Sequence, residues 1–301
     1  MTTYIPGLRI GHDTDLENMT GVTVLIFDAP ARAACEVRGS APGTRETDLL
    51  APTALVQEIH ALVLAGGSAF GLAAADGVMS FLARSGVGFS TPGGVVPIVP
   101  AAVLYDLTVG NPVAPDANSG RRAAENARSD GWARGRVGAG TGATIGKLQG
   151  PHHARSGGIG IAADDLGDGT RMVALSAVNA LGDVLLPGTG KWSKGLDPLD
   201  LDSVVAPDPF TNTTLTAIVT TRRMDRVELL KVAQMAHDGM ARAIEPSHTP
   251  YDGDVIFVIS IPDATGRTDL GIFGARAARA VSRSIVDAIQ PDPVEPFTGP
   301  P

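Results

Sequence analysis

Residues 211–221 read Thr-Asn-Thr-Thr-Leu-Thr-Ala-Ile-Val-Thr-Thr, and their order could support acyl chemistry. Leu215, Ala217 and Val219 alternate with Thr214, Thr216, Ile218 and Thr220, the pattern of a buried strand that starts at Thr213 and has one more apolar face. A hydroxyl at the first position of such a strand, directly after Asn212, is where a self-cutting chain would place its nucleophile. Breaking the Asn212–Thr213 bond would give Thr213 a free α-amine, a base of pKa about 8, next to its own hydroxyl. The same residues also describe an ordinary Thr-rich strand start. Asn212-Thr213-Thr214 fits the N-glycosylation spacing as well, which counts only in a secreted eukaryotic setting.

Other segments supply groups that such a nucleophile would need. Asp252 and Asp254, in His248-Thr-Pro-Tyr-Asp-Gly-Asp254, are two residues apart at a strand entry, so both carboxylates can point the same way. Held together, two acids shift each other's pKa and can orient an amine or a hydroxyl; the plain alternative is a solvated turn. Lys147 closes a Gly-rich stretch, where an ammonium can approach a hydroxyl, or it is a surface lysine. Asn179 ends the apolar run 171–179, where its amide can donate to an oxyanion or simply terminate the strand.

Several motifs point elsewhere and fall short. Gly138-Ala-Gly-Thr-Gly-Ala143 has dinucleotide-fingerprint spacing, which would make the chain an NAD-binding oxidoreductase. The preceding Trp132–Val137 is a poor buried strand, however, and no acidic residue closes a second strand at the right distance. Gly142–Lys147 lacks the glycine and the Ser or Thr of a phosphate loop. Gly66-Gly-Ser-Ala-Phe70 lacks the second glycine of a nucleophile elbow, which leaves Ser68 a helix-capping role. The six histidines show no metal-ligand spacing. Cys35 is the only cysteine, so there is no disulfide framework, and its apolar surroundings suit a small buried residue. No metal and no organic cofactor is expected.

These groups must be positioned by a scaffold that the sequence outlines. Strands are expected at 21–27 and 32–38, as a pair joined through Asp28-Ala-Pro30, and at 103–107, 171–179, 213–221 and 255–261. Residues 54–64 change from helical to strand-like character. Helices are expected at 69–84, with Phe70, Ala73, Ala74, Val78 and Phe81 on one face, at 119–128, from the capping box Asp225–Glu228 to 243, and at 270–289 with Ile272, Ala275, Val281 and Ile285 inward. Gly182–Asp208 reads as a long loop. Strands in adjacent sets with helices between them suit a layered α/β sandwich, and no composition break divides residues 1–301 into two domains.

Composition narrows the function further. Hydrophobic residues make up 44% and aromatics only 4%, so the core must be built from Ala, Val, Leu and Ile. A net charge of −8 argues against a general binder of nucleic acid or anionic membrane. There is no signal-peptide pattern and no membrane-length apolar run, so a cytoplasmic protein is expected.

Taken in order, Asn-Thr-Thr-Leu-x-Ala-Ile-Val-Thr at 212–220 and His-Thr-Pro-x-Asp-Gly-Asp at 248–254 resemble the DmpA-like self-processing aminopeptidases and amidases (peptidase family S58). That group includes the nylon-oligomer hydrolases. Leu64-Ala-Gly-Gly-Ser-Ala-Phe-Gly-Leu72, Ala75-Asp-Gly-Val-Met79, Gly138-Ala-Gly140, Gly146-Lys147 and Ile10-Gly-His12 extend the resemblance collinearly over nearly the whole chain. The resemblance implies an αββα sandwich of the DmpA/ornithine-acetyltransferase type, autoprocessed into an α chain (1–212) and a β chain (213–301). It implies Thr213 as nucleophile, Lys147 as its activator, Asn179 as oxyanion donor, and Asp252 and Asp254 as orienting acids, with Tyr105 near the site. It also implies a homotetramer of αβ units acting on peptide or small-molecule amides. Aminopeptidase members use Ser with a Ser/Glu pair, so Thr with two Asp is closer to the nylon-oligomer branch, whose N-terminus is longer. An acyltransferase of the ornithine-acetyltransferase type would share the fold and the cut, and a non-catalytic binding protein would show no cut.

Overall fold

The computed structural model describes residues 5–148, 150–186, 191–193, 212–264, 266 and 268–289. Its framework is eight principal strands and four α-helices: β1 (Leu8–Asp15), β2 (Thr20–Val37), β3 (Glu58–Ala65), α1 (Ala74–Arg84), β4 (Ala101–Val103), α2 (Ala117–Glu125), β5 (Gly158–Asp165), β6 (Arg171–Asn179), β7 (Thr213–Arg222), α3 (Arg226–Ala243), β8 (Val255–Ala264) and α4 (Leu270–Asp287). With a short edge strand at Gly43–Arg45 they form one hydrogen-bonded path, β5-β6-β7-β8-β2-β3-β4 and then the edge, while β1 pairs separately with β2.

β2 makes this path into two layers. Its first half, Thr20–Phe27, pairs with β1 and β3; its second half, Arg32–Val37, pairs with β8. The register with β3 shifts between Ile26 and Ala31, and Asp28, Ala29 and Pro30 there are exposed. The expected pair of strands at 21–27 and 32–38 is therefore a single bent strand. Proline, which cannot donate to a ladder, is accommodated at the irregularity rather than ending the strand.

Three apolar clusters show the layering. One joins inward residues of both halves, among them Leu25, Leu64, Leu175, Leu215 and Phe257, and contains no residue of the four α-helices. A second seats α3 and α4 on the outer face of β6, β7 and β8, and a third seats α1 and α2 on β2 and β3. The order is helices, sheet, sheet, helices. Small residues let α3 and α4 approach: a Cβ on Gly239 would lie 1.9 Å from the Ala278 carbonyl oxygen.

Some details differ from the sequence expectations. The segment before α1 is a 3-10 turn, Ser68–Ala73, in which Phe70 is 75% exposed. In α4 the buried face is Phe273, Ala277, Val281 and Ile285, while Ile272 and Ala275 are exposed. An Ala-rich helix gives little contrast from which to choose a stripe. The strand expected at 103–107 lies earlier in the chain: β4 ends at Val103, and residues 104–107 are not strand. Most of the expected loop 182–208 lies outside the described residues, but Asp183–Leu186 is a short strand paired with Lys191–Trp192 and Ile244–Glu245. Among the described residues, no helix is long and apolar enough to cross a membrane.

Candidate active site

Strand register alone brings four of the candidate residues together. β6 and β7 are antiparallel, and the last residue of β6, Asn179, is the register partner of the first residue of β7, Thr213. β7 and β8 are parallel, with Leu215 opposite Val255, so the residues entering the two strands run side by side. Asn212 and Asp252 form a parallel bridge. Alternation from the inward Leu215, Ala217 and Val219 puts the Thr213 side chain between the two sheets, where the residue is 5% exposed and Asn212 1%.

At the junction itself, the Asn212 carbonyl oxygen accepts hydrogen bonds from the Thr213 hydroxyl at 2.5 Å and from Gly253 N–H at 2.9 Å. Gly253 has no room for a side chain: a Cβ there would sit 2.6 Å from Thr213 Oγ1 and 2.7 Å from the Ala41 carbonyl oxygen. The peptide is fixed from both sides, by Ala41 N–H donating to the Asp252 carbonyl at 2.9 Å and by Asp252 N–H donating to that of Thr249 at 3.1 Å.

The two acids face different partners. Asp252 Oδ2 accepts from Thr249 N at 2.9 Å and from Thr249 Oγ1 at 2.5 Å. Asp254 Oδ1 accepts from Thr214 N at 2.8 Å; its Oδ2 accepts from His248 N at 3.0 Å and meets His248 Nδ1 at 2.8 Å. Burial, and then the Asp254 charge, push the Asp252 pKa up to about 6, while the Thr249 hydrogen bonds and Lys147 oppose the rise.

Lys147 is delivered by a short strand, Thr144–Ile145, and anchored to the turn that follows β6. Gly146 N–H donates to Gly182 O and Lys147 N–H to Leu181 O, each at 2.9 Å. Its ammonium donates to Asn179 Oδ1 at 3.0 Å and to Asn179 O at 3.3 Å. Desolvation of that ammonium lowers its pKa to about 7, with the Asp252 charge pulling the other way. Asn179 Oδ1 also accepts from Thr144 N at 3.0 Å, and its Nδ2 donates to Tyr105 O at 3.0 Å. Donors on one side and a carbonyl on the other fix which way this amide points. Tyr105 meets the cluster through its main-chain carbonyl.

Sequence reading alone passed over Gly253, Thr249 and Thr144. Thr249, three residues before Asp252, has the spacing at which a hydroxyl and main-chain N–H close a turn onto an Asp side chain. Gly253 acts through its backbone, which side-chain chemistry does not reveal.

The rejected motifs have structural employment. Gly138–Gly140 is a buried 3-10 turn, and a Cβ on Gly140 would lie 2.4 Å from Ile159 N; these glycines admit backbone, not a dinucleotide. Ser68 makes no side-chain cap, because Gly67 holds the cap position. The Cys35 thiol is pushed up to about 12, by burial first, so it is not a thiolate nucleophile. Among the described residues, no three His, Cys, Asp or Glu side chains cluster as metal ligands.

Comparison with known proteins agrees with this architecture. The model of peptidase family S58 matches residues 2–292. An uncharacterized aminopeptidase of Mycobacterium tuberculosis is 36% identical, over 95% of this chain and 92% of its own. A 6-aminohexanoate-oligomer endohydrolase of Kocuria sp. is 32% identical, over 94% of this chain and 81% of its own. In structure the chain is similar to a Burkholderia sp. β-aminopeptidase, with a TM-score of 0.73 at 20% identity over 94% of this chain and 84% of that one. It is also similar to the L-aminopeptidase D-Ala-esterase/amidase of Ochrobactrum anthropi, described as a variant of the Ntn hydrolase fold, with a TM-score of 0.72 at 17% identity over 94% and 84%. The αββα layering read from the clusters is thus that of known aminopeptidases, and the chain belongs to peptidase family S58, as an amide-bond hydrolase.

Proposed function

We propose that the chain cuts itself between Asn212 and Thr213 and then hydrolyses amides with the freed N-terminal Thr213. The observation that carries this reading is the Asn212 carbonyl oxygen, held at once by the Thr213 hydroxyl and by Gly253 N–H. Thr213 Oγ1 attacks the Asn212 carbonyl carbon, and Gly253 N–H takes the charge that develops on the oxygen. Collapse breaks the C–N bond and leaves an ester on Thr213 with a free α-amine. Water cleaves the ester, giving an Asn212 carboxylate on the 1–212 chain.

In turnover the same hydroxyl attacks a substrate amide, the amine product leaves, and water releases the acyl group. Lys147, neutral above a pKa of about 7, accepts the hydroxyl proton. Asn179 aims Lys147 through Oδ1 and faces the developing oxyanion across the β6–β7 register. Asp252 and Asp254 orient the main chain and the new amine of Thr213, and Tyr105 locks Asn179.

The relatives named for 6-aminohexanoate oligomers and the β-aminopeptidase neighbour define the substrate panel: oligoamides of ω-amino acids, β-aminoacyl amides, and L- and D-aminoacyl amides. Assembly into a homotetramer of αβ units belongs to the same reading, with Leu55 (92% exposed) and Phe89 (46% exposed) available for contact; light scattering tests it. The test of the cut is intact mass. Active enzyme should consist of two chains, one ending at Asn212 and one beginning at Thr213, and a single full-length chain in active enzyme would overturn the proposal.

A further inference from the structure

We propose that His248 is a positioning residue of this site: it holds Asp254 against Thr214 and so fixes the main chain beside the nucleophile. The inference rests on the roles given above to Thr213, Asp252 and Asp254, and adds a residue to which those roles assign nothing.

The two acids are treated asymmetrically. Asp254 receives both the main-chain N–H and the ring Nδ1 of His248, as well as Thr214 N. Among the described residues, the Asp252 side chain accepts hydrogen bonds from Thr249 alone. Three donors thus fix Asp254 and two fix Asp252, while burial and the Asp254 charge raise the Asp252 pKa to about 6 against the pull of Lys147. Asp254 in turn fixes the first main-chain N–H after the nucleophile, so the placement of His248 is transmitted to Thr213.

The backbone at His248 is set for this grip. Its φ is +58°, a left-handed conformation that few non-glycine residues adopt, and it turns the N–H and the ring onto the same carboxylate oxygen. The far side of the ring is also arranged. Among the described residues, His248 Nε2 is buried without a hydrogen-bond partner, and so is Nδ1 of His237. The two rings meet edge to face with centroids 4.8 Å apart, and His237 Nε2 donates to Glu36 O at 3.0 Å. Unpartnered buried ring nitrogens are costly. The charged and titratable groups around the ring are Asp254 and His237 directly, Asp252 and Lys147 beyond Asp254, and Arg38 and Asp254 acting on His237.

The test compares two amides at position 248. In His248→Asn the side-chain N–H stands where Nδ1–H stood, and Asn tolerates the left-handed backbone; in His248→Gln the amide reaches toward Nε2 and leaves Asp254 unserved. Self-cleavage of purified precursor and kcat on an amide substrate are followed from pH 5 to 9, beside wild type and Thr213→Ala. Gln should lower both rates about tenfold to a hundredfold, the loss expected for one hydrogen bond to a charged group, with KM little changed and the acid limb displaced. Asn should recover most of that loss. Equal rates and equal pH profiles for Asn and Gln overturn the inference, whether both are impaired or both resemble wild type. If wild type itself remains one chain while active, the self-cleavage reading fails instead.

Discussion

Asn179 binds the Lys147 ammonium twice, through its side-chain oxygen at 3.0 Å and its main-chain oxygen at 3.3 Å. The residue that aims the lysine is also the register partner of Thr213. Any backbone movement that misplaces the nucleophile therefore moves the lysine with it.

Thr213→Ala should leave a folded, full-length, inactive chain, and Thr213→Ser should still be cut. Denaturing electrophoresis and intact mass read both outcomes.

Self-cleavage of the precursor should accelerate with pH up to about 7. Burial destabilises the charged form of Lys147 and brings its pKa down to about 7, so the free base dominates above that value. Below about 6 Asp252 also becomes protonated, and the decline should steepen. The precursor has no free amine at Thr213, so this profile is not confounded by an α-amine of pKa about 8. A rate flat between pH 5 and 8 would count against Lys147 as the base.

Asn179→Asp should slow turnover by roughly a hundredfold, since the donor to Tyr105 O is lost and an oxyanion donor is removed. It should also move the rising limb to higher pH, because a carboxylate beside Lys147 favours the ammonium. A kcat–pH series on the variant decides.

Lys147→Met should abolish activity yet match or exceed the thermal stability of wild type at neutral pH. An apolar chain of similar length carries no desolvation cost, and Asn179 Oδ1 keeps Thr144 N as a donor. For the wild type, the lowered folded pKa of Lys147 means that the unfolded chain binds more protons between about 7 and 10.5. That contribution should therefore raise wild-type stability with pH across this window and be missing from the variant. Calorimetry at several pH values checks both parts.

Gly253→Ala should accumulate precursor. The new methyl would press on Thr213 Oγ1 and on the Ala41 carbonyl, turning the hydroxyl away from the bond it attacks. Mass spectrometry of freshly purified protein shows the fraction cut.

The long elements were legible because their signals are strong and local. The apolar run 171–179 is β6, the Asp225–Glu228 capping box opens α3, and the run from Val255 is β8. Less legible were features that depend on what lies across the fold. Pro30 looked like a strand end because nothing local shows that β2 continues past a register shift into a second sheet. Ile272 looked like core because an Ala-rich helix leaves its buried stripe to be chosen by the partner helix. At the candidate site the residue types could be named from the motifs, but the pairing of Asn179 with Thr213, the bridge from Asn212 to Asp252 and the Gly253 N–H exist only once three strands are aligned.

β7, the strand that opens with Thr213, lies between β6, which precedes the proposed cut, and β8, which follows it. Severing the chain at 212–213 would thus leave the two pieces stitched together through ladder hydrogen bonds and a shared apolar layer, with no surface on which to part. Once denatured, such fragments would have to find each other again. The uncut polypeptide should refold at a rate independent of dilution, whereas the mature enzyme should recover more slowly the thinner the solution.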